Sequence, residues 1–471
     1  MGITQDLESF HFLIDKISYP DSKNILKTVL SSFEMVVLQQ SAKLCYLHRL
    51  KQKLSFFLFE VQIKLEGPPG KYDVLIWPVQ LIHLDFLIPV YKSLVDLGLQ
   101  VSFINYRDDI SEHIKMHNAD LIKVKMNISK KLKLRSIMRG FRLLSIILQA
   151  KSISKSSNLF SSNVEKALYE FRHWEIYSKV FDEAQKAYAP KYHLLGYEFS
   201  AVCRPINLKA NEIGSLTGNV QHGNLNYNIS RYSICDQLFI WDKLAFEYLK
   251  LLNLNNEIHL TGSPGIKHID AENEITFLNE NENFELGKVF LVCFSGPGHN
   301  VTLSGHENNL RQLTDVIAEY SRHLFIIKLH PKDKINYYES IFSYKNAYII
   351  DKAHINYKNS IIDFIHIADS IITGASTVAI EALINNKPVI SLDMNKELNH
   401  IEFLKNNMFY YCDTASAFRY AIKSVIDQDD IFVKKTKEIS SYSSQYNLRM
   451  VDSPSDAIAR LIKNKIEVCA V

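Results

Sequence analysis

No apolar run in this sequence approaches the roughly eighteen charge-free residues that a membrane span requires. Met1-Gly2-Ile3-Thr4-Gln5 does not open a secretory signal, so a cytosolic, reducing setting is expected. The six cysteines, Cys45, Cys203, Cys235, Cys293, Cys412 and Cys469, are scattered without a C-x-x-C spacing. That pattern offers neither a zinc site nor a disulfide framework, and the thiols read as core residues. A formal net charge of +3 over 471 residues is too small to argue for a nucleic-acid partner. The one glycine-rich loop, Ser295-Gly296-Pro297-Gly298-His299-Asn300, fits none of the common phosphate-loop spacings.

Another absence is local. Between Asp120 and Glu165 there is no acidic residue, while ten lysines and arginines are interleaved with apolar residues such as Ile128, Leu132, Leu134, Ile137, Met138 and Phe141. Two readings stand side by side. One is a basic amphipathic helix that attaches residues 121–156 to the surface of an anionic membrane, and the other is a solvated face over a core stripe.

What is present is enough for large cores. At 471 residues and 47% hydrophobic, the chain divides more readily into two or three domains than one. Residues 1–66 carry helical periodicity (Ile25, Val29, Phe33, Val36, Val37) and read as a helical N-terminal extension. Gly67-Pro68-Pro69-Gly70 breaks it. From there to residue 266 short apolar runs alternate with helical stretches, which is the pattern of a parallel α/β sheet. Residues 267–287 are polar and acidic and read as a linker, and a second α/β series occupies 288–471 with helices at its end.

Polar residues at strand ends are the candidates for chemistry, because ligands of open α/β sheets lie outside the carboxyl ends of the strands. The run Leu324-Phe325-Ile326-Ile327 leads into Lys328-Leu329-His330-Pro331, which puts His330 at the end of a buried strand. Ser370-Ile371-Ile372 leads through Gly374 into a helix that opens on Ser376 and Thr377 and carries Glu381. Hydroxyls and free N–H groups there suit a phosphate. We expect these two ends on neighbouring strands. In the first half, His222, in Gln221-His222-Gly223, and Glu198 end strands; His222 is the candidate general base and Glu198 the carboxylate that orients the acceptor, acts as base itself or tunes the imidazole. His83 and Asp85, in the first βα loop, come next.

Strand-His330-Pro331 followed by Gly374-x-Ser376-Thr377-x-x-x-Glu381-Ala382, with Gln221-His222-Gly223 and Gly262-Ser263-Pro264 closing the first half, resembles bacterial GT-B glycosyltransferases of surface polysaccharides. The closest pattern is that of the sialyl- and polysialyltransferases, Kdo transferases and glycerophosphotransferases with HP and S-S/T motifs. The resemblance spans about Tyr72 to Val425. It implies an α/β fold of two Rossmann-like domains facing across a cleft, an acceptor domain (67–266) and a donor domain (288–471). It also implies a nucleotide held by His330, Pro331, Ser376, Thr377 and Glu381, with Gly296 and Gly298 alongside, and chemistry on His222 and Glu198. The donor implied is a CMP-activated sialic-acid-like or Kdo-type sugar, and the acceptor a glycan or lipid-linked glycan at the inner face of the cell membrane. Imidazole and hydroxyl donors with a helix N-terminus neutralise a leaving phosphate without a metal, so no metal and no cofactor beyond the nucleotide-sugar substrate is expected. The acidic-acidic-Gly motif in which sialyltransferases keep their base has no clear counterpart. A UDP-N-acetylglucosamine 2-epimerase-like enzyme shares the fold and a Gly-x-Ser...Glu helix, although Ile380-Glu381-Ala382 shows one acid where those enzymes pair two. A non-catalytic module that binds a glycan or partner is the third reading.

Overall fold

Short runs of Val, Ile, Leu and Phe that are buried on both faces belong in parallel sheets covered by helices on either side, and this chain builds two. The computed structural model describes residues 59–68, 70–132, 160–200, 202–221, 230, 233–252, 254–266, 287–294, 296, 301–330, 333, 335–350, 361–398, 401, 404, 406–448 and 453–469, with the backbone alone at 59, 60, 128–132, 160–172, 447 and 448.

The first sheet holds β1 (Phe59–Glu66), β2 (Val74–Trp77), β3 (Val101–Asn105), β4 (Leu121–Leu132), β5 (Tyr192–Leu195), β6 (Leu216–Val220), β7 (Gln237–Ile240) and β8 (Glu257–Leu260). Their order is β1-β4-β3-β2-β5-β6-β7-β8, parallel throughout except for β1 against β4. The direction of winding reverses between β2 and β5, where a crevice opens outside the carboxyl ends. Helices α1 (Leu84–Asp96) and α2 (Asp108–Met116) cover one face, and α3 (Phe160–Tyr188), α4 (Cys203–Ile213) and α5 (Lys243–Leu251) the other.

The second sheet is parallel throughout: β9 (Val289–Cys293), β10 (Leu324–Lys328), β11 (Ala347–Ile350), β12 (Ser370–Thr373), β13 (Val389–Leu392) and β14 (Phe409–Cys412), in the order β11-β10-β9-β12-β13-β14. Its winding reverses between β9 and β12. Six helices flank it: α6 (Leu303–Glu319), α7 (Ile335–Glu339), α8 (Ile361–Ile367), α9 (Val378–Ile384), α10 (Ala415–Asp427) and α11 (Asp430–Leu448). Of these α6, α7 and α10 pack on one face, and α8, α9 and α11 on the other.

The last helix, α12 (Pro454–Val468), returns to the first sheet. It starts cleanly, with Pro454 in its first turn and Ser453 Oγ accepting from the Asp456 N–H. Its stripe of Ile458, Ala459, Ile462 and Ile466 is buried beside α1. Ser93 Oγ donates to Asp456 Oδ1 at 2.6 Å, and Lys463 Nζ donates to the Leu97 carbonyl at 3.2 Å. The second half therefore does not keep the whole of 288–471, because this helix finds its apolar partner on α1.

Two other expectations change. The helical extension expected over 1–66 gives way at Phe59, since F-E-V-Q-I-K-L-E alternates with period two: Val61, Ile63 and Leu65 turn to the core, and Gln62 and Lys64 to solvent. Residues 1–58 lie outside the described residues. The acid-free basic segment begins as β4, a strand rather than a helix, with Ile122 and Val124 buried. Its outward Lys123 and Lys125 pair with Asp108 and Glu66, both at 2.7 Å. Residues 133–159, and 267–286 of the expected linker, lie outside the described residues. No described helix is long and apolar enough to cross a membrane.

Candidate functional site

β10, β9 and β12 end side by side. At the reversal between β9 and β12, the buried Thr373 donates its hydroxyl to the Cys293 carbonyl at 2.6 Å and ties the two strand ends together. Past Cys293 the chain turns through Gly296, whose φ of +66° suits a residue without Cβ. A Cβ there would stand 2.7 Å from Asp333 Oδ1. Asp333 also closes the turn after β10: its Oδ2 accepts the His330 backbone N–H at 3.1 Å, and its own N–H donates to the His330 carbonyl at 2.8 Å. Asp333 thus closes the His330 turn close beside Gly296, with His330 half-buried there. Gly298 and Pro331 lie outside the described residues.

Ser376 and Thr377 follow β12 and open α9, both half-buried. The Thr377 carbonyl accepts the N–H groups of Ile380 and Glu381 at 3.0 and 3.2 Å, and Ser376 Oγ accepts that of Val378 at 3.4 Å. The expectation that His330 and these hydroxyls end neighbouring strands is corrected, because β9 lies between β10 and β12. In a sheet wound outward from its centre, successive strands on either side of the reversal are parted by the first strand.

Glu381, in the first turn of α9, is half-buried, and its Oε2 is enclosed without a hydrogen-bond partner among the described residues. Burial pushes this carboxyl up to about 7; the Lys328 ammonium pulls it down, and Asp85 of the first half pushes it up. Lys328 was not among the sequence candidates. Its signal is strand alternation, which gives it the same face of β10 as Ile326, the face that α9 covers.

The Asp85 carboxylate, on the first half, is near enough to Glu381 to push its pKa up. Asp85 is exposed in the first turn of α1. Gly265, at the end of the first half, passes so close that a Cβ would lie 3.4 Å from Phe86 and 3.5 Å from the Asp85 backbone. An apolar seam of Trp241 and Ile266 with Ile380, Ile384 and Tyr446 joins the two cores. Tyr446 Oη accepts the Ser263 N–H at 2.9 Å.

Other first-half candidates are placed differently. Glu198 is fully buried. Its Oε2 accepts from Cys235 Sγ at 2.6 Å, Ser233 Oγ at 3.0 Å and Asn207 Nδ2 at 3.4 Å, and Arg204 lies 3.9 Å from its Oε1. Burial raises its pKa, against the pull of Arg204. Its backbone N–H donates to Asn219 Oδ1 at 2.9 Å, so it forms an interior knot between β5 and β6. His83 is buried at the β2/β5 reversal, with Nδ1 accepting the Val79 N–H at 3.3 Å and resting against Gly196. His222 lies outside the described residues. Its neighbour Gln221 is buried and accepts the Trp241 N–H at 2.9 Å.

No protein-family model matches the sequence, and no curated protein does. Solved structures do match. The chain is similar to S. aureus MnaA in a co-structure with UDP, at 15% identity and a TM-score of 0.55 over 85% of this chain and 97% of that one. The fold is of the GT-B type. A UDP-glucosyltransferase from Polygonum tinctorium matches at 9% identity and a TM-score of 0.53, over 86% of this chain and 100% of its own. A UDP-GlcNAc 2-epimerase from Methanocaldococcus jannaschii, solved with UDP-GlcNAc and UDP, matches at 14% identity and 0.50, over 84% and 100%. In this GT-B chain the two reversals, β2/β5 and β9/β12, mark the crevices of the two halves.

Proposed function

We propose that this GT-B chain is an enzyme acting on a nucleotide-activated sugar held in the cleft, and that it transfers the sugar to an acceptor. The observation that carries this reading is Glu381: a half-buried carboxyl with an enclosed, unpartnered oxygen, beside Lys328, at the carboxyl edge of a doubly wound sheet. An acceptor oxygen enclosed in this way calls for a donor, and the vicinal hydroxyls of a ribose supply two. Beyond it, His330 and the Ser376-Thr377 turn offer donors to a phosphate, which favours departure of the nucleotide as the glycosidic bond breaks. Asp85, exposed on the opposite half, is the carboxylate placed to take a proton from an acceptor hydroxyl.

The motif pattern supports a CMP donor bearing a sialic-acid-like or Kdo-type sugar, and a growing cell-surface polysaccharide or lipopolysaccharide as acceptor. A second reading, epimerisation of UDP-N-acetylglucosamine, draws on the UDP-GlcNAc and UDP bound by the M. jannaschii protein. It also draws on the influence of Asp85 on Glu381 from the opposite half, since inversion at a carbon needs a base on one side and an acid on the other. Incubation with CMP-sialic acid, CMP-Kdo and UDP-GlcNAc separates the readings. Slow release of CMP and free sugar supports transfer, and formation of UDP-N-acetylmannosamine supports epimerisation. No turnover and no thermal protection by CMP or UDP would remove both.

A further inference from the structure

Lys328 is the charged side chain that the site contains and the motif does not explain. It is the last residue of β10, half-buried, and strand alternation settles its face. Phe325 and Ile327 pack with α6 and α10, whereas Ile326 packs with Cys293, Ile371 and the inner residues of α9, and Lys328 follows Ile326. It therefore rises at the carboxyl edge on the side that bears Glu381.

Several lysines elsewhere in the fold have counterions. Lys288, at the amino edge of the same sheet, is paired with Asp369 at 2.9 Å. Lys123, Lys191 and Lys209 are paired with Asp108, Asp73 and Asp182 at 2.7 to 2.9 Å. Among the described residues no hydrogen bond or ion pair closes on the Lys328 ammonium, although Lys328 is half-buried. Glu381 does not serve as that counterion: no bond joins the two side chains, and Glu381 Oε2 is itself unpartnered. Two half-buried groups of complementary chemistry, on the ends of β10 and α9, stand near each other without touching. A ligand that presents hydroxyl donors to one and an anion to the other would satisfy both.

We infer that Lys328 binds the ribose-proximal phosphate of the nucleotide, the single phosphate of a CMP-sugar or the first phosphate of a UDP-sugar. The inference rests on the nucleotide-sugar reading and adds to it the cation that holds the leaving group. As the bond from the sugar to the phosphate oxygen breaks and its electron pair stays on that oxygen, the charge gained by the nucleotide develops beside Lys328 and the His330 loop. A compact ammonium serves there as a fixed point charge.

The test compares CMP and UDP with cytidine and uridine, by calorimetry, on the full chain as wild type, Lys328→Met and Lys328→Arg. Lys328→Met should weaken the tighter nucleotide by roughly ten- to hundredfold and leave its nucleoside within about twofold, while Lys328→Arg should keep most of the nucleotide affinity. Nucleotide binding that is unchanged in Lys328→Met overturns the inference and leaves the nucleotide-sugar reading standing. An equal loss of nucleoside and nucleotide also overturns it, because a merely structural role would not discriminate between them. A wild type that binds neither nucleotide takes down the reading and the inference together. Should Lys328→Met not fold, Lys328→Gln reads the same comparison.

Discussion

Asp85 and Glu381 come from the first turns of helices in opposite halves of the molecule and bring like charge toward each other. Together with burial, this keeps Glu381 protonated up to about pH 7. Ribose hydroxyls donate to the ionised form, so nucleotide affinity should rise as the pH is taken from about 6 to 8. Asp85→Asn should move that rise to lower pH. Fluorescence titration across this range checks it, and a flat profile in the wild type would remove Glu381 from the nucleotide site.

The same shift sets a stability slope for the ligand-free protein. The folded-state pKa lies above the unfolded value of 4.5, so between the two the folded chain binds more protons than the unfolded one. This contribution is fully present below about pH 4.5 and is lost as the pH rises through about 7. Thermal melts of Glu381→Gln against wild type should show the variant gaining on the wild type over that interval.

Glu198 should behave as an interior residue. Glu198→Ala would leave the buried Arg204 guanidinium without its carboxylate and three donors without their acceptor, at a cost of about 3 kcal/mol. Glu198→Gln, which keeps an acceptor oxygen, should lose less. Urea denaturation measures both. A catalytic carboxylate exposed to substrate would show the opposite ranking, with lost turnover and unchanged stability.

His330 is half-buried, and its backbone rather than its ring closes the turn with Asp333. His330→Ala should therefore weaken nucleotide binding by roughly tens of fold, with the melting temperature nearly unchanged. Calorimetry and a melt on the same sample give both numbers.

Ile462 has no exposed surface and lies in the core beneath α1, some 370 residues away in sequence. Ile462→Ala should cost about 2 to 4 kcal/mol and lower hydrogen-exchange protection in α1 before that of α9. Equal loss in both helices would mean that α12 acts on the whole molecule and not on the first half alone.

Much of the fold was legible because its strands are short and apolar on both faces. Val101–Asn105 and Ala347–Ile350 stand where the sequence puts them, β5, β7 and β9 differ only in their last residues, and β2 is shorter at both ends than the run Tyr72 to Val79 suggests. What escaped was period two inside segments dominated by another signal: charge in Leu121–Leu132 and a helical neighbourhood in Phe59–Glu66. At the site, the motif residues His330, Ser376, Thr377 and Glu381 could be named, but not the strand between β10 and β12, since sheet order is a property of long-range pairing. Glu198 looked like a strand-end carboxylate, and its partners Cys235, Ser233 and Arg204 are brought to it only by the fold. Lys328 stood two residues before the histidine that drew attention to the loop.

Because α12 packs on α1, the polypeptide passes between the halves twice, once through 267–286 and once between α11 and α12. The halves are therefore held by two covalent crossings as well as by the apolar seam of Trp241, Ile266, Ile380, Ile384 and Tyr446. A single cut in 267–286 would leave them joined, so a nicked chain should still elute as one particle.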